Sequence, residues 1–255
     1  MKLRFLGTGT STGVPMLGCH CEVCRSADPR DNRLRCSALL TTDTGKNLLI
    51  DCGPDFRQQM LSLDSPQLDA LLVTHTHYDH LGGIDDLRPY CYREGGFPIY
   101  CREDVRHDIH TRMPYCFGPN RYPGAPVYNI QTVEPYKPFE AAGVEITPLE
   151  VMHTPTLPIL GFRIGTFAYI TDCKTMPERT LEQLRGVDTL VINALRAESH
   201  PSHLNLRQAL DVIKSIQPRQ AYLTHFSHDM GLHSAVEPTL PEGVRMAYDG
   251  LEVTI

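Results

Sequence analysis

The stretch LLVTHTHYDHLGG at 71–83 constrains this chain most, because it puts four potential metal ligands directly after an apolar run. Side chains alternate along a strand, so His75 and His77 leave the end of that run on the same side. Asp79 and His80 follow as the chain turns, and they approach the same point from another direction. Imidazoles and carboxylates are costly to crowd together unless something binds them. The stretch therefore predicts two pairs of ligands for two metal ions, and zinc or manganese accepts such mixed donors.

Three more candidate ligands stand alone at the ends of other apolar runs. His153 follows VEITPLEV, Asp172 ends FAYITD, and His225 ends QAYLTH. A single residue of this kind is more often a hydrogen-bonded surface or core residue, but sites in α/β folds collect at strand ends. The shared position therefore favours all three as ligands. Asp172 is the natural bridge, since one carboxylate can span two metals about 3.5–4 Å apart.

Short β-like runs recur along the whole chain, with helical segments between them. One helix is predicted after Thr175. Another is predicted over 205–216, where Asn205 is the expected cap and the apolar residues share one face. This interleaving predicts an α/β protein whose helices cover the faces of its sheets. The predicted strands cover 2–6, 37–42, 47–51, 69–74, 144–151, 161–165, 167–171, 188–193, 220–224, 244–248 and 251–255.

The chain of 255 residues is long enough to bury a sizeable core, and we expect one domain spanning 1–255. Its middle part is rich in proline, tyrosine and arginine, most of all around 86–126. We interpret this part as an irregular insertion within the domain. A lid over an active site is the functional interpretation of such a segment.

Composition and the N-terminal residues indicate a cytoplasmic protein without a membrane segment. The apolar run in MKLRFLGTGTSTG is too short for a signal peptide, and no stretch approaches the roughly 20 apolar residues of a membrane span. Nine cysteines without an export signal favour thiol or metal roles over disulfides. The formal net charge of −6 argues against a broad nucleic-acid-binding face.

The heptad THTHYDH, followed by isolated His, Asp and His residues at strand ends, resembles the metallo-β-lactamase superfamily over essentially the whole chain. The resemblance implies a four-layer αβ/βα sandwich with a dinuclear metal site at its edge, bridged by Asp172. Asp51, at the end of NLLID, matches the aspartate that orients the histidines of the metal loop, and a turn cap is the alternative. The implied ligands are His75, His77 and His153 for one metal, and Asp79, His80 and His225 for the other.

The stretch FLGTGTSTGVPMLGCHCEVC at 5–24 resembles the start of phosphodiesterases in this superfamily, above all the phosphoribosyl 1,2-cyclic phosphate phosphodiesterases of the carbon–phosphorus lyase pathway. Cys19, Cys21 and Cys24 form C-x-C-x2-C, which suggests a zinc site that lacks its fourth ligand. In the resembling enzymes a histidine shortly after the last active-site ligand completes this site, and here that residue is His228. The resemblance thus implies one structural zinc ion, and packed free cysteines are the alternative.

The stretch HPSHLNL at 200–206 is also informative. The resemblance aligns His203, just ahead of a helix, with the general acid of the family, and His200 is the rival. A departing alkoxide needs a proton, and a histidine that titrates near neutrality can supply it. The expected catalytic residues are therefore His203 and Asp79.

The resemblance implies a phosphodiesterase that uses two divalent ions, Mn²⁺ or Zn²⁺, to convert a small cyclic phosphodiester of ribose to a phosphomonoester. Hydroxide formed at the metals would attack phosphorus in line, and His203 would protonate the leaving oxygen. Phosphonate metabolism is the implied setting, a small-molecule phosphodiester is the expected partner, and a homodimer is a family expectation. Candidates for binding the distal phosphate are the arginines at 88, 93, 102, 106, 112 and 121.

Two other functions remain open. An endoribonuclease resembling the tRNA 3′-end processing enzymes would share the metal ligands and the GTGT start, but those enzymes usually carry a flexible basic arm, which this sequence lacks. A non-catalytic accessory protein of quinone-cofactor biosynthesis would share the cysteine-rich start. The complete set of seven candidate ligands favours catalysis over the accessory role.

Overall fold

The computed structural model describes residues 1–92, 94–119 and 121–255. Two seven-stranded sheets form its centre. The first sheet consists, in spatial order, of β14 (Glu252–Thr254), β1 (Lys2–Gly7), β2 (Ser37–Thr41), β3 (Asn47–Ile50), β4 (Ala70–Leu72), β5 (Phe97–Cys101) and β6 (Tyr128–Thr132). The second sheet consists of β13 (Val244–Met246), β12 (Gln220–Thr224), β11 (Thr189–Asn193), β10 (Phe167–Ile170), β9 (Leu157–Ile164), β8 (Val144–Thr154) and β7 (Phe139–Ala141).

The helices lie between these strands in the sequence. Within the described residues the α-helices are α1 (Phe56–Leu61), α2 (Tyr78–Leu81), α3 (Glu103–Arg112), α4 (Glu178–Gln183), α5 (Leu206–Ile216) and α6 (His233–Val236). Short 3₁₀-helices cover Val23–Arg25, Pro29–Asp31, Ile84–Cys91, Pro114–Cys116, His228–Met230 and Glu237–Thr239. None of these helices is both long and apolar enough to cross a bilayer.

Buried side chains divide into three apolar layers. The central layer joins the two sheets, with Leu40 of β2 and Phe162 of β9 among its fully buried members. On the outer face of the first sheet, Leu71 of β4 packs in one cluster with Val105 of α3. On the outer face of the second sheet, the corresponding cluster includes Ile213 of α5. The order helix, sheet, sheet, helix confirms the predicted four-layer αβ/βα sandwich.

The parallel strands explain why one edge of the sandwich collects polar residues. β3, β4, β5 and β6 run parallel in the first sheet, and β10, β11, β12 and β13 run parallel in the second. Ligand sites in open α/β sheets form outside the carboxyl ends of such strands. Asp51 follows β3 directly, and His225 follows β12 directly. The segment 74–80, called the metal loop here, follows β4. Residues distant in sequence therefore meet at this edge.

All eleven predicted strands are confirmed, with ends that differ by a few residues, and α5 begins at a capping box formed by Asn205 and Gln208. The sequence interpretation missed β5, β6 and β7. The segment around 86–126 is less irregular than its composition suggests, because it contains α3 and β5, and β5 pairs with both β4 and β6. Its action as a lid, and the single-domain assignment, stay predictions.

Candidate metal centre

The metal loop begins as an extended segment and ends as a helix. After β4 the chain runs through His75 to His77, which is the N-cap of α2. Asp79 and His80 therefore lie on the first turn of α2, where sequence reasoning expected a plain loop. His75, Asp79 and His80 are buried, whereas His77 is exposed. The backbone changes from extended to helical at His77. The pair His75 and His77 and the pair Asp79 and His80 therefore approach the same edge of the sandwich from different directions.

The structure brings the seven predicted ligands together in two clusters that share Asp172. In each cluster one potential ligand atom per residue lies within 4.8 Å of the others. The Oδ1 atom of Asp172 lies 3.2 Å from Nε2 of His80 and 3.1 Å from Nε2 of His225, whereas its Oδ2 atom lies 3.9 Å from Nε2 of His75. The two carboxylate oxygens thus face different clusters. The clusters contain His75, His77, His153 and Asp172, and Asp79, His80, Asp172 and His225.

Hydrogen bonds fix the histidine rings so that Nε2 faces the clusters. Nδ1 of His80 lies 2.7 Å from Oδ2 of Asp51, and Nδ1 of His153 lies 2.7 Å from the carbonyl oxygen of Asp172. Nδ1 of His75 lies 3.0 Å from Oγ1 of Thr74. The Nε2 atoms of His75, His80 and His225 are buried and have no hydrogen-bond partner among the described residues. Such oriented and unpartnered nitrogens fit divalent metal ions, which these clusters bind.

The electrostatics of the clusters suit cation binding. Burial alone would raise the pKa of the Asp172 carboxyl, but His225 and His80 hold it well below its usual range. Burial lowers the pKa of His75 well below its usual value, so this imidazole is neutral, as a metal ligand must be. Burial opposes charge on His80 as well, yet Asp172, Asp79 and Asp51 raise its pKa strongly. These carboxylates therefore favour a proton on the His80 ring. A metal ion on Nε2 would take the place of that proton as the positive charge beside them.

Three residues at this edge have left-handed backbone conformations. Asp51, Asp172 and His225 have φ angles of 60°, 53° and 62°. Only a few per cent of non-glycine residues adopt this conformation, and Asp, Asn and His are enriched among them. Each of the three ends or follows a strand, so the conformation turns the chain away from the sheet at the metal clusters. Residue types suited to metal chemistry are thus also suited to this turn.

His203 lies beside both clusters without belonging to either group of ligands. Its Nδ1 atom is 3.9 Å from Oδ2 of Asp172, and its ring centroid is 4.7 Å from that of His153 and 4.9 Å from that of His225. His200, the rival candidate, lies one ring further out, with its centroid 5.1 Å from that of His203. Burial, with His225 as the next cause, lowers the pKa of His203 to about 3, which is well below the near-neutral titration expected from the sequence.

The four predicted structural-zinc ligands also come together. The Nδ1 atom of His228 lies 3.5 Å from Sγ of Cys19 and 3.3 Å from Sγ of Cys21, and Cys24 completes the group. The backbone N–H of Cys24 donates to Sγ of Cys21 and, with His228, lowers the pKa of the Cys21 thiol to about 6. Cys21 is therefore a thiolate at neutral pH, the form that binds zinc. Zinc at this group stays a prediction.

Three of the candidate arginines pair with nearby acidic residues, and Arg93 falls outside the described residues. Arg88 pairs with Asp85, Arg102 with Asp104, and Arg106 with Glu103. Arg112 differs, because its Nη2 donates to the carbonyl oxygen of Thr76 at 2.9 Å, inside the metal loop.

Sequence reasoning missed three neighbours of the site. Thr74 donates to Asp51, Thr171 donates to Oδ1 of Asp172 at 2.6 Å, and Lys174 donates to the carbonyl oxygen of His203 at 3.3 Å. The only signal in the sequence was their position next to predicted ligands or, for Lys174, two residues after one.

Comparison with known proteins adds the family. A family model described as the beta-lactamase superfamily domain matches residues 46–226. A Porphyromonas gingivalis protein named octanoyltransferase is 45% identical over 100% of this chain and 52% of its own length. The chain spans about half the length of the curated relatives it matches.

Solved structures share the whole fold. A structure described as a new diphosphatase from the PhnP family has a TM-score of 0.91 and 37% identity, covering 99% of this chain and 96% of its own. The Zn²⁺-bound PqqB of Methylobacterium extorquens has a TM-score of 0.82 and 20% identity over 100% of both chains, which is a likeness of fold.

Proposed function

Because this chain belongs to the beta-lactamase superfamily domain family and is a metallohydrolase by fold, we propose that it is a phosphodiesterase acting on a small phosphodiester. The product is a phosphomonoester, and a ribose cyclic phosphate is the proposed substrate. The observation that carries this proposal is His203, an imidazole outside the ligand groups whose Nδ1 lies 3.9 Å from the shared carboxylate of Asp172. A proton donor there can reach the oxygen that leaves phosphorus.

Bound divalent ions would supply Lewis-acid activation of water and of the phosphate oxygens. Asp172 holds the two ligand groups together, and Asp79 contributes a carboxylate to one of them. Burial lowers the pKa of His203 and so opposes its protonated form. An anionic phosphodiester beside the ring favours the imidazolium and raises this pKa. The imidazolium can then give its proton to the departing alkoxide.

The names of the similar proteins support the proposal unequally. The 37% identical diphosphatase of the PhnP family covers nearly the whole chain, and its name describes hydrolysis at phosphorus. The transferase name belongs to a protein of which this chain covers 52%. We therefore propose hydrolysis rather than acyl transfer. A place in phosphonate metabolism, a homodimer, a cytoplasmic location and zinc bound by the cysteine group are parts of the same proposal.

A substrate panel tests the reaction class. Purified protein is loaded with Mn²⁺ or Zn²⁺ and assayed on bis(p-nitrophenyl) phosphate, a ribose cyclic phosphate and a precursor tRNA. We expect turnover of the first two. Cleavage of the tRNA alone would favour the endoribonuclease, and no turnover of any phosphodiester would favour a non-catalytic accessory protein.

A leaving-group comparison tests His203. His203→Ala should slow an alkyl phosphodiester by about 10²–10⁴-fold, because its alkoxide needs a proton, and should slow a nitrophenyl ester far less. His200→Ala is the matched control and should show no such dependence on the leaving group. Equal losses on both esters for His203→Ala would contradict the general-acid role.

A further inference from the structure

Cys36 differs from the other buried cysteines in its surroundings. The others pack in the apolar clusters on the outer faces of the two sheets, and they are Cys52, Cys91, Cys101, Cys116 and Cys173. Cys36 directly precedes β2 and is fully buried, yet within the described part of the chain it belongs to none of the three apolar layers. Apolar packing alone therefore does not account for this thiol.

Three hydroxyl groups of the second half of the chain surround the Cys36 sulfur. The hydroxyl oxygen of Tyr169, in β10, lies 3.3 Å from Sγ, and Oγ1 of Thr224, at the end of β12, lies 3.6 Å from it. Oγ1 of Thr171, which follows β10, lies 3.7 Å from the same sulfur. All four side chains are fully buried. The start of β2 thus meets the second sheet through a polar contact inside the sandwich.

The hydrogens of this group have one order that satisfies each donor. Oγ1 of Thr171 lies 2.6 Å from Oδ1 of Asp172, and an ionised carboxylate only accepts, so Thr171 donates its single proton there. The contact between Thr171 and Cys36 then requires the thiol as donor, and burial keeps the proton on that thiol by raising its pKa to about 11. The Tyr169 hydroxyl donates to the sulfur, its hydrogen-bond partner among the described residues. Buried polar groups are normally satisfied in this way.

The chain of donors ends on the oxygen of Asp172 that faces one particular cluster. Oδ1 lies 3.2 Å from Nε2 of His80 and 3.1 Å from Nε2 of His225, whereas Oδ2 faces His75. A donor on Oδ1 opposes rotation of the carboxylate away from the position in which each oxygen faces its own cluster. Hydrogen bonds in a buried chain also polarise one another, so loss of an earlier donor weakens the last bond.

We propose that Cys36 is a positioning residue for the shared carboxylate, acting through Thr171 on Oδ1 of Asp172. The chain from Tyr169 through Cys36 to Thr171 keeps that oxygen directed at the cluster that contains His225. Partners of this kind orient metal ligands from outside the ligand group. The inference depends on metal binding by the clusters, and it holds for any substrate on which the bound ions act.

Binding of Co²⁺ tests the proposal, because the visible absorption of this ion reports the geometry of its ligands. Thr171→Val should weaken binding of one Co²⁺ about 10–100-fold and shift its absorption, since it removes the direct partner of a ligand. Cys36→Val should weaken the same ion about 2–10-fold, the value of one neutral hydrogen bond. Cys36→Ser keeps a donor and should stay closer to the wild type. A packing role predicts the opposite order, because Val fills the space of the thiol better than Ser does.

Two further variants separate the hydrogen bonds from the packing. Tyr169→Phe removes only the first hydroxyl of the chain, so it should weaken the same Co²⁺ without opening a cavity at Cys36. Cys101→Val is the matched control, because Cys101 is also fully buried but lies in the apolar cluster on the outer face of the first sheet. It should bind Co²⁺ like the wild type.

The S–H stretching band in the infrared gives a second readout on metal-free protein. The difference between the wild type and Cys36→Val isolates the band of Cys36, and Thr171→Val should move it to higher frequency, because the S–H then loses its acceptor. A band that does not move would overturn the donor order and the proposal with it. Equal Co²⁺ binding by the wild type and Cys36→Val would overturn the positioning role alone. A wild type that binds no Co²⁺ at the clusters would overturn the proposed metal-dependent activity as well.

Discussion

Asp51 shows how a residue outside both ligand groups can control them. Its Oδ1 atom accepts the backbone N–H of Thr74 at 2.8 Å, and its Oδ2 atom lies 2.7 Å from Nδ1 of His80. The carboxylate is fully buried, so no water competes for these contacts. It therefore fixes both the start of the metal loop and the ring of His80.

Asp51→Asn should weaken metal binding about 10–100-fold, since partners of this kind orient ligands and raise their basicity. The amide would present an N–H to the N–H of His80, which turns an attraction into a clash of donors. The effect is measured as the amount of metal that each protein retains after dialysis against increasing concentrations of a chelator. Asp43→Asn, on the surface with its side chain 83% exposed, is the control and should retain metal like the wild type. Unchanged retention in Asp51→Asn would contradict the orienting role.

Asp249 gives a prediction about pH that is independent of the metal clusters. The hydroxyl of Thr8 and the backbone N–H of Leu34 donate to its carboxylate, but burial raises its pKa to about 6. Unfolded aspartate titrates near 3.9, so the native state binds the proton more tightly. The stability from this group is complete below about pH 4 and is lost as the pH rises through about 6.

The variant Asp249→Asn does not titrate there. Between pH 4 and pH 7 the wild type should therefore lose about 2–3 kcal/mol of unfolding free energy relative to Asp249→Asn, in addition to any constant offset. Urea denaturation of both proteins at several pH values measures the difference. Asp43→Asn makes the same substitution at a side chain that is 83% exposed, and it serves as the control. A difference between the wild type and Asp249→Asn that does not change with pH would show that Asp249 titrates normally in the native state.

The seven candidate ligands could be predicted because they are of metal-binding types and each follows an apolar run. Their backbone conformation could not. The sequence does not predict the left-handed φ of Asp51, Asp172 or His225, because none of these positions is a glycine. A small cavity lined by Tyr78 of α2 and by Ile109 and Arg112 of α3 was also beyond prediction, because it depends on how these two helices pack.

At the level of elements, strand prediction failed where the usual signals were weak or contradictory. β5 contains Pro98, which removes a backbone donor and argues against a strand inside a sheet. In the structure Pro98 is the second residue of β5, close to where its pairing begins. β6 reads YNIQT and is only partly buried, so it lacks the apolar character of the other parallel strands. α2 was missed because four residues are too few for a periodic pattern.

The N-terminal loop is joined to the second sheet by the cysteine group. Cys19, Cys21 and Cys24 come from the segment after β1, and His228 follows β12. β1 belongs to the first sheet, so a zinc ion in this group would link the two sheets away from the catalytic clusters.

Cys21→Ser should remove this metal and lower the unfolding free energy by about 3–4 kcal/mol, if metal in the assay exceeds its dissociation constant 100- to 1,000-fold. Metal analysis should show one ion fewer per chain, and chemical denaturation measures the stability. His20→Ala changes an exposed neighbour in the same loop and should keep both values. Equal metal content in Cys21→Ser would mean that the cysteines are packed thiols.

For the whole molecule, the catalytic clusters join the two halves of the sandwich. Each cluster combines residues of the metal loop, after a strand of the first sheet, with residues of the second half of the chain. A metal ion that binds only the native arrangement stabilises the fold as a whole.

Removing the catalytic metals should therefore lower the melting temperature of the entire protein in one transition. The loss should be about 4 kcal/mol for each ion that was present at 1,000 times its dissociation constant. Thermal denaturation with and without chelator measures it. Asp172→Asn, which alters the shared ligand, should respond much less to the chelator. A chelator effect of the same size in both proteins would assign the stabilisation to another site.

Each cluster combines THTHYDH with ligands far along the chain, Asp172 in both and His225 in one, and this separation also orders events during synthesis. The ribosome delivers THTHYDH long before Asp172, and His225 arrives later still. Domains fold as units while the chain emerges N-terminus first. Neither cluster can be complete until Asp172 has left the ribosome, and the cluster that contains His225 is complete later still. Metal loading therefore depends on the ions that are available after these late ligands have emerged.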